Sequence, residues 1–372
     1  MIETGERTVS VSRFVRATLG AVLLSACAAA PPAPTPTVER VWPVPPDPPR
    51  VAYVKNLTGP EAGVKKKGFF ARLFELVVGK DEAAAPRMIR PFGVFVGDSG
   101  DLLITDTGLQ VVHRFDLDGG GYRQVFKMSG GRRLLSPTGV TEDRDGTLYV
   151  ADSQLNRVVV FDRAGRFQRE FVSDDDAVRI SGIAYHPGRD LLYVSDAGGH
   201  RILMYARDGR KVGAFGQRGP EGGSFNFPTH LAVDRAGRLY VTDAMNFRVQ
   251  VLEADGAWVR SIGQLGETLG SFSKPKGVGL DRRGHVYIVD GLYDTVQIFT
   301  ADGDLLLNFG SAGTTEGAFW LPTGVAVDDQ DRIYVADTYN ARVQVFRLLD
   351  ATMPKEPAAD AAAVVGTPRG EP

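Results

Sequence analysis

Six aspartates recur along the chain at a spacing that suits either a mechanism or a scaffold. They are Asp106, Asp152, Asp196, Asp243, Asp290 and Asp337, separated by 46, 44, 47, 47 and 47 residues. Five residues after four of them stands an arginine, Arg157, Arg201, Arg248 and Arg342, while Val111 and Thr295 fill the other two places. A carboxylate and a guanidinium at fixed spacing suit charge-assisted hydrogen bonds that tie a loop to itself or to its neighbour. Six identical copies of an acid catalyst do not make sense, because catalysis needs one asymmetric constellation. At the head of a sharp loop the carboxylate can also accept backbone N–H groups, as Asx turns do. These ten residues therefore read as architecture, and no catalytic residue is assigned among them.

The elements that carry them repeat in the same phase. Each aspartate lies within a run of the type "LYVADSQLNRVVVF" or "IYVADTYNARVQVF", at the end of the run's first strand, and apolar and polar residues alternate there as they do in strands. Unit four reads "PTHLAVD", turn, "RLYVTD", loop, "RVQVLE", a turn at Asp255-Gly256, then "AWVRSIG". Asp-Gly pairs supply the positive φ of tight hairpins. Four short strands per unit make one antiparallel sheet with two apolar faces, which must stack against neighbours. Radial stacking of such units predicts an all-β, six-bladed β-propeller of four-stranded antiparallel blades. The sixth unit lacks a fourth strand after "RVQVFRL", so "RVAYVKNLTGPE", residues 50–61, is predicted to complete it and close the ring. The propeller then spans 50–349, with one short helical insertion at about 64–80 carrying Phe69, Phe70, Leu73, Phe74 and Val77 behind three lysines.

Function is sought where the repeat breaks. Two residues after each lead-in proline stands Gly93, Gly139, Gly277 or Gly324, with Gly182 equivalent in unit three, yet unit four has His230. His200, in the loop after the second strand of unit three, is expected on the same face. The loops of that face also carry Met245, Phe247, Leu292, Tyr293 and Tyr339, side chains that give much contact area at modest entropy. With His200 and His230 they form the predicted ligand- or partner-binding set.

The repeated unit, together with a G-x-x-G-x-x-x-G-x-F-x-x-P connector at Gly216–Pro228, Gly263–Pro275 and Gly310–Pro322, resembles NHL repeats, which build six-bladed propellers. The resemblance covers roughly residues 50–349, and "VWPVPPDPPRVAYV" is similar to the stretch that leads into the propeller in bacterial lipoprotein members. It marks the fold strongly and the function weakly, since propellers host binding modules and enzymes alike. Metal-dependent propeller lyases use several converging histidines, and gluconolactonase-like propellers hold calcium with Glu, Asn and Asp. Here His113, His186 and His285 do not obviously join the pair, and no corresponding acidic break occurs. No metal and no cofactor is expected.

The ends speak to location. "RFVRATLGAVLLSAC", residues 13–27, is too short an apolar run to span a bilayer and suits a secretory signal, residues 1–26. Its Leu24-Ser25-Ala26-Cys27 ending looks like a lipobox, which makes Cys27, the single cysteine, the predicted lipidation site. Residues 27–49 read as a Pro-rich tether and 350–372 as a disordered tail. A formal net charge of −2 argues against nucleic acid as partner. No HExxH segment, Ser-centred elbow or phosphate loop followed by Lys appears. The expected protein is a monomeric propeller, lipid-anchored in a bacterial cell envelope. It acts as a non-catalytic binding or scaffold module for an envelope protein or extracellular ligand. The alternative is a metal-dependent hydrolase or lyase with its site at the channel mouth.

Overall fold

The computed structural model describes residues 40–60, 87–97, 99–172 and 177–349, and the structural statements below concern those residues. They form six antiparallel sheets whose strands follow the chain from the inner edge outward. Blade 4 illustrates the principle with strands Pro228–Val233, Leu239–Asp243, Arg248–Leu252 and Trp258–Ile262. Along its second strand Leu239 and Val241 pack toward blade 3 while Tyr240 packs toward blade 5. That is the two-residue alternation of a strand buried on both faces. The same holds around the ring: each hydrophobic cluster lies at one interface between successive blades, including the one between blades 6 and 1. No apolar sheet face is left over, so the six sheets form a closed ring around a channel lined by their inner strands.

Closure occurs through the N-terminal strand. Val51–Leu57 pairs antiparallel with Arg342–Leu348, in a register that sets Val51 against Leu348, Tyr53 against Phe346 and Leu57 against Val343. One expectation needs correcting. Residues 40–49 are not simply tether, because Val41–Trp42 adds a fifth strand to blade 6, with Val41 opposite Ala52 and Trp42 opposite Val51. The physical reason is the indole: Trp42 lies 5.7 Å from the Phe346 ring and 6.0 Å from Phe309, so it shields the blade edge. The predicted insertion at 64–80, the residues around Cys27 and the tail lie outside the described residues.

The connectors repeat because their glycines are needed. A Cβ on Gly216, Gly263 or Gly310 would come within 3 Å of the buried ring of Phe225, Phe272 or Phe319 in the same connector. The third glycine of the pattern donates its N–H to a third-strand glutamine, Gly223 to Gln250, Gly270 to Gln297 and Gly317 to Gln344. Thus the inner strands of blades 4, 5 and 6 arrive at the channel from loops anchored to the blades they are about to join.

Candidate functional site

The six aspartates are fully buried hubs that join the loop after the second strand to the loop leading into the same blade. Asp152 accepts the N–H groups of Leu135 and Ser136 on one side and of Gln154 and Leu155 on the other. Asp196, Asp243 and Asp337 add their arginines, with Nε of Arg201, Arg248 and Arg342 at 3.3, 3.0 and 2.7 Å. Arg157 departs from the pattern and donates to its neighbour's carbonyl, Asn156 O, at 3.1 Å. In blade 1 His113 takes the arginine's role, with Nε2 3.3 Å from Asp106 and Nδ1 2.8 Å from the Tyr122 hydroxyl. Burial pushes the Asp106 carboxyl up, but His113 and the N–H groups of Ile89, Leu109 and Arg90 outweigh it and hold the group below its ordinary value. Asp290 holds Ser273, Lys274, Leu292 and Tyr293 through backbone N–H groups. These ties set where the loops of this face stand.

A second set of loop residues joins successive blades. The fourth residue after each aspartate has a positive φ, and in three blades its side chain accepts the N–H that opens the next blade. Asn156 Oδ1 accepts from Ile180, His200 Nδ1 from Phe227 at 3.2 Å, and Asp294 Oδ1 from Leu321 at 2.7 Å. His200 also meets the Phe227 ring edge-on at 4.8 Å. It is therefore an inter-blade latch between blades 3 and 4. The latch position turns His200 toward the loop that leads into blade 4. Among the described residues no three His, Cys, Asp or Glu side chains gather closely enough to hold a metal ion.

His230 does enter the channel, and its neighbours were not legible locally. The glycines in its column are forced by close approach: a Cβ on Gly139, Gly277 or Gly324 would strike the backbone of the next blade's inner strand. His230 reaches instead to Phe92, their rings stacked at 5.6 Å and 20°. Phe92 belongs to blade 1 and His230 to blade 4, which stand opposite in a ring of six, so these rings meet within the channel. Lys276 of blade 5 is close enough to act on His230 electrostatically. Burial, with Lys276 adding to it, lowers the imidazole pKa to about 3, so His230 is neutral in ordinary conditions. Burial, with Lys274 adding to it, also lowers that of Lys276. Both side chains are half-buried by surface area, yet protein surrounds the imidazole in this narrow bore, and that enclosure governs its charge.

Around the mouth stands the apolar rim. Met245, Leu292, Tyr293 and Tyr339 are exposed, and Trp320, in the loop leading into blade 6, joins them; the five expose between 38 and 55% of their surface. Trp320 lies against Tyr339 with ring centroids 5.6 Å apart, and the Arg90 guanidinium sits 6.0 Å from the same Tyr339 ring. Tyr293 borders a hollow of about 280 Å³ with Leu269 and Asn308. Phe247 is only half-buried, and Leu155 folds into the interface between blades 1 and 2. On the opposite face the hairpin turns carry ion pairs between blades, such as Arg207 with Asp143 and Arg282 with Asp329. The charged face is self-paired, whereas the loop face presents aromatic and aliphatic surface.

Trp320, Phe92 and Lys276 escaped the reading of the sequence. Phe92 and Lys276 occupy the position one after the lead-in proline, where the other units have Thr138, Ser181, Thr229 and Thr323. The signal was a break in the column adjacent to that of His230.

Comparison with known proteins agrees with this architecture. Residues 225–252 and 319–346 match the NHL repeat. Among solved structures, virginiamycin B lyase from Staphylococcus aureus is similar at 16% identity and TM-score 0.50, over 70% of this chain and 95% of that one. An auxiliary nutrient binding protein from Bacteroides thetaiotaomicron is similar at 13% identity and TM-score 0.55, over 70% of this chain and 69% of that one. Hydrazine synthase of Kuenenia stuttgartiensis is similar at 16% identity and TM-score 0.53, over 70% of this chain and 96% of that one. At such identities the likeness is one of fold.

Proposed function

We propose that this chain, an NHL-repeat six-bladed β-propeller, is a non-catalytic binding module that docks a protein partner of the cell envelope on its loop face. The observation that carries the reading is the rim: Met245, Leu292, Tyr293, Trp320 and Tyr339 stand exposed on one face. Aromatic side chains of this kind dominate the energetics of protein interfaces. Their loops are held by buried aspartates, so the surface is preorganised and loses little entropy on binding. Tyr339 and Trp320 flank the Asp337 hub, and Leu292 and Tyr293 follow Asp290.

The test is a triple variant, Tyr293→Ala with Trp320→Ala and Tyr339→Ala. It should lose a protein that co-purifies stoichiometrically with the wild type from native membranes, with its own thermal midpoint nearly unchanged. Retained co-purification counts against the reading, and a collapsed midpoint means the three side chains are core. The presence of such a partner at a membrane rests on Cys27, which follows the apolar run "LGAVLLSA" where diacylglycerol transfer requires a cysteine. A thioether-linked diacylglycerol with a further acyl chain exceeds the two-chain requirement for stable anchoring. Cys27→Ser should therefore move the protein from the detergent phase to the soluble fraction. Unchanged partition would refute lipidation.

A further inference from the structure

The channel carries a second feature, independent of the rim. Two of the hydroxyls in the inner strands brace the ring: Thr138 Oγ1 donates to Ser181 O of the next blade and Thr323 Oγ1 to Phe92 O, each at 2.8 Å. Two other polar groups lack such a partner among the described residues. His230 Nδ1 lies 3.4 Å from the Thr229 hydroxyl, while its Nε2 is buried with no hydrogen-bond partner among the described residues. Assigning Nδ1 as the acceptor of the Thr229 hydroxyl, one of the two tautomers the contact allows, places the proton of the neutral ring on Nε2, which is then a donor lacking an acceptor. The other group is the Lys276 ammonium. Its side chain leaves the strand beside Gly291, the residue after the Asp290 hub, and so on the loop-face side. Its electrostatic neighbour is a second cation, Lys274, and among the described residues no carboxylate pairs with it. A partly desolvated cation without a counter-charge is unfavourable, and so is a buried N–H without an acceptor. One anionic oxygen pair would satisfy both.

We propose that the mouth of the channel binds the carboxylate or phosphate group of a small molecule. In that site the Lys276 ammonium supplies charge, His230 Nε2–H donates a hydrogen bond, and the stacked Phe92 and His230 rings form the floor. Lys274, exposed beside it, adds positive potential that draws the anion in. The two cations select against cationic ligands, and the aromatic floor favours an apolar body over a second charge.

The experiment titrates the full chain with citrate and with inorganic phosphate against chloride of equal ionic strength, followed by calorimetry and by the His230 side-chain nitrogen resonances. Saturable binding that shifts the Nε2 resonance is expected from at least one probe, and the stronger of the two identifies the headgroup class. Lys276→Met should weaken it about tenfold or more, the loss expected for one charge-assisted hydrogen bond, whereas Lys211→Met on an outer strand should leave it unchanged. His230→Gly restores the residue that five other blades tolerate and should fold, but bind more weakly. Absence of saturable binding by either probe overturns the proposal, as does equal affinity in Lys276→Met or an equal loss in Lys211→Met. The rim triple variant should bind the anion normally, so failure of the docking reading and failure of this one are separately visible.

Discussion

A chain lacking residues 40–58 is expected to lose its cooperative thermal transition altogether. This segment supplies two of the five strands of blade 6 and places Val51 and Leu57 in the core, with Tyr53 and Trp42 packed on Phe346. Fully burying one such side chain contributes roughly 1.5–3 kcal/mol, so the loss is on the order of 5–10 kcal/mol. Domains of this kind are stable by about 5–15 kcal/mol in total. The deletion also strips the partner strand from Arg342–Leu348 and opens the interface between blades 6 and 1, where Leu57 meets Met88 and Ile104. Circular dichroism melting reads the outcome. A normal sigmoidal transition in the truncated chain would mean that closure is dispensable. A synthetic peptide of residues 40–58 added in trans should restore the transition, because the register is specified by side chains on both strands.

How far the molecule was legible follows from which forces act locally. The aspartate period and the connector glycines were legible because each answers to contacts within one unit, such as Gly216 against Phe225. The closing strand was legible because Gly59-Pro60-Glu61 repeats the connector of unit three and because an open edge is a liability. Val41–Trp42 was hidden by its prolines, since a two-residue strand has no periodicity to detect and exists only through Val51, Ala52 and the burial of Trp42. His230 stood out as a break in a glycine column, but its partner Phe92 lies across the channel, and no local pattern reports contacts between opposite blades. His200 looked like a channel residue because it shares the loop face. Its positive φ and its bond to the Phe227 N–H place it with Asn156 and Asp294 as a latch, a column visible only once the backbone is known.

The aspartate hubs look alike in sequence but should differ sharply in what their removal does. Asp337 accepts from the Trp320 N–H at 2.8 Å, from the Arg342 Nε at 2.7 Å and from the Gln344 amide at 3.0 Å, with Asn340 also bound. Arg342 is buried, and its other donors reach only carbonyls, Thr315 O and Ala318 O. Asp337→Ala therefore leaves a buried guanidinium without a counter-charge, a change that typically costs about 3–5 kcal/mol. Among the described residues Asp152 holds backbone N–H groups and no guanidinium, and those loops are partly open to water. Asp152→Ala should cost less, about 1–3 kcal/mol. Urea unfolding separates the two cases, and a double-mutant cycle identifies the cause. Replacing Arg342 by Met in the Asp337→Ala background should recover at least about 1 kcal/mol, whereas Asp152 and Arg157 should show almost no coupling. Equal losses for the two aspartates, or no coupling between Asp337 and Arg342, would mean that the carboxylate acts only as a turn former. On the docking proposed for the loop face the consequence extends to the rim: Trp320 is held by Asp337 and lies against Tyr339, so Asp337→Ala should weaken partner capture even where the ring remains folded.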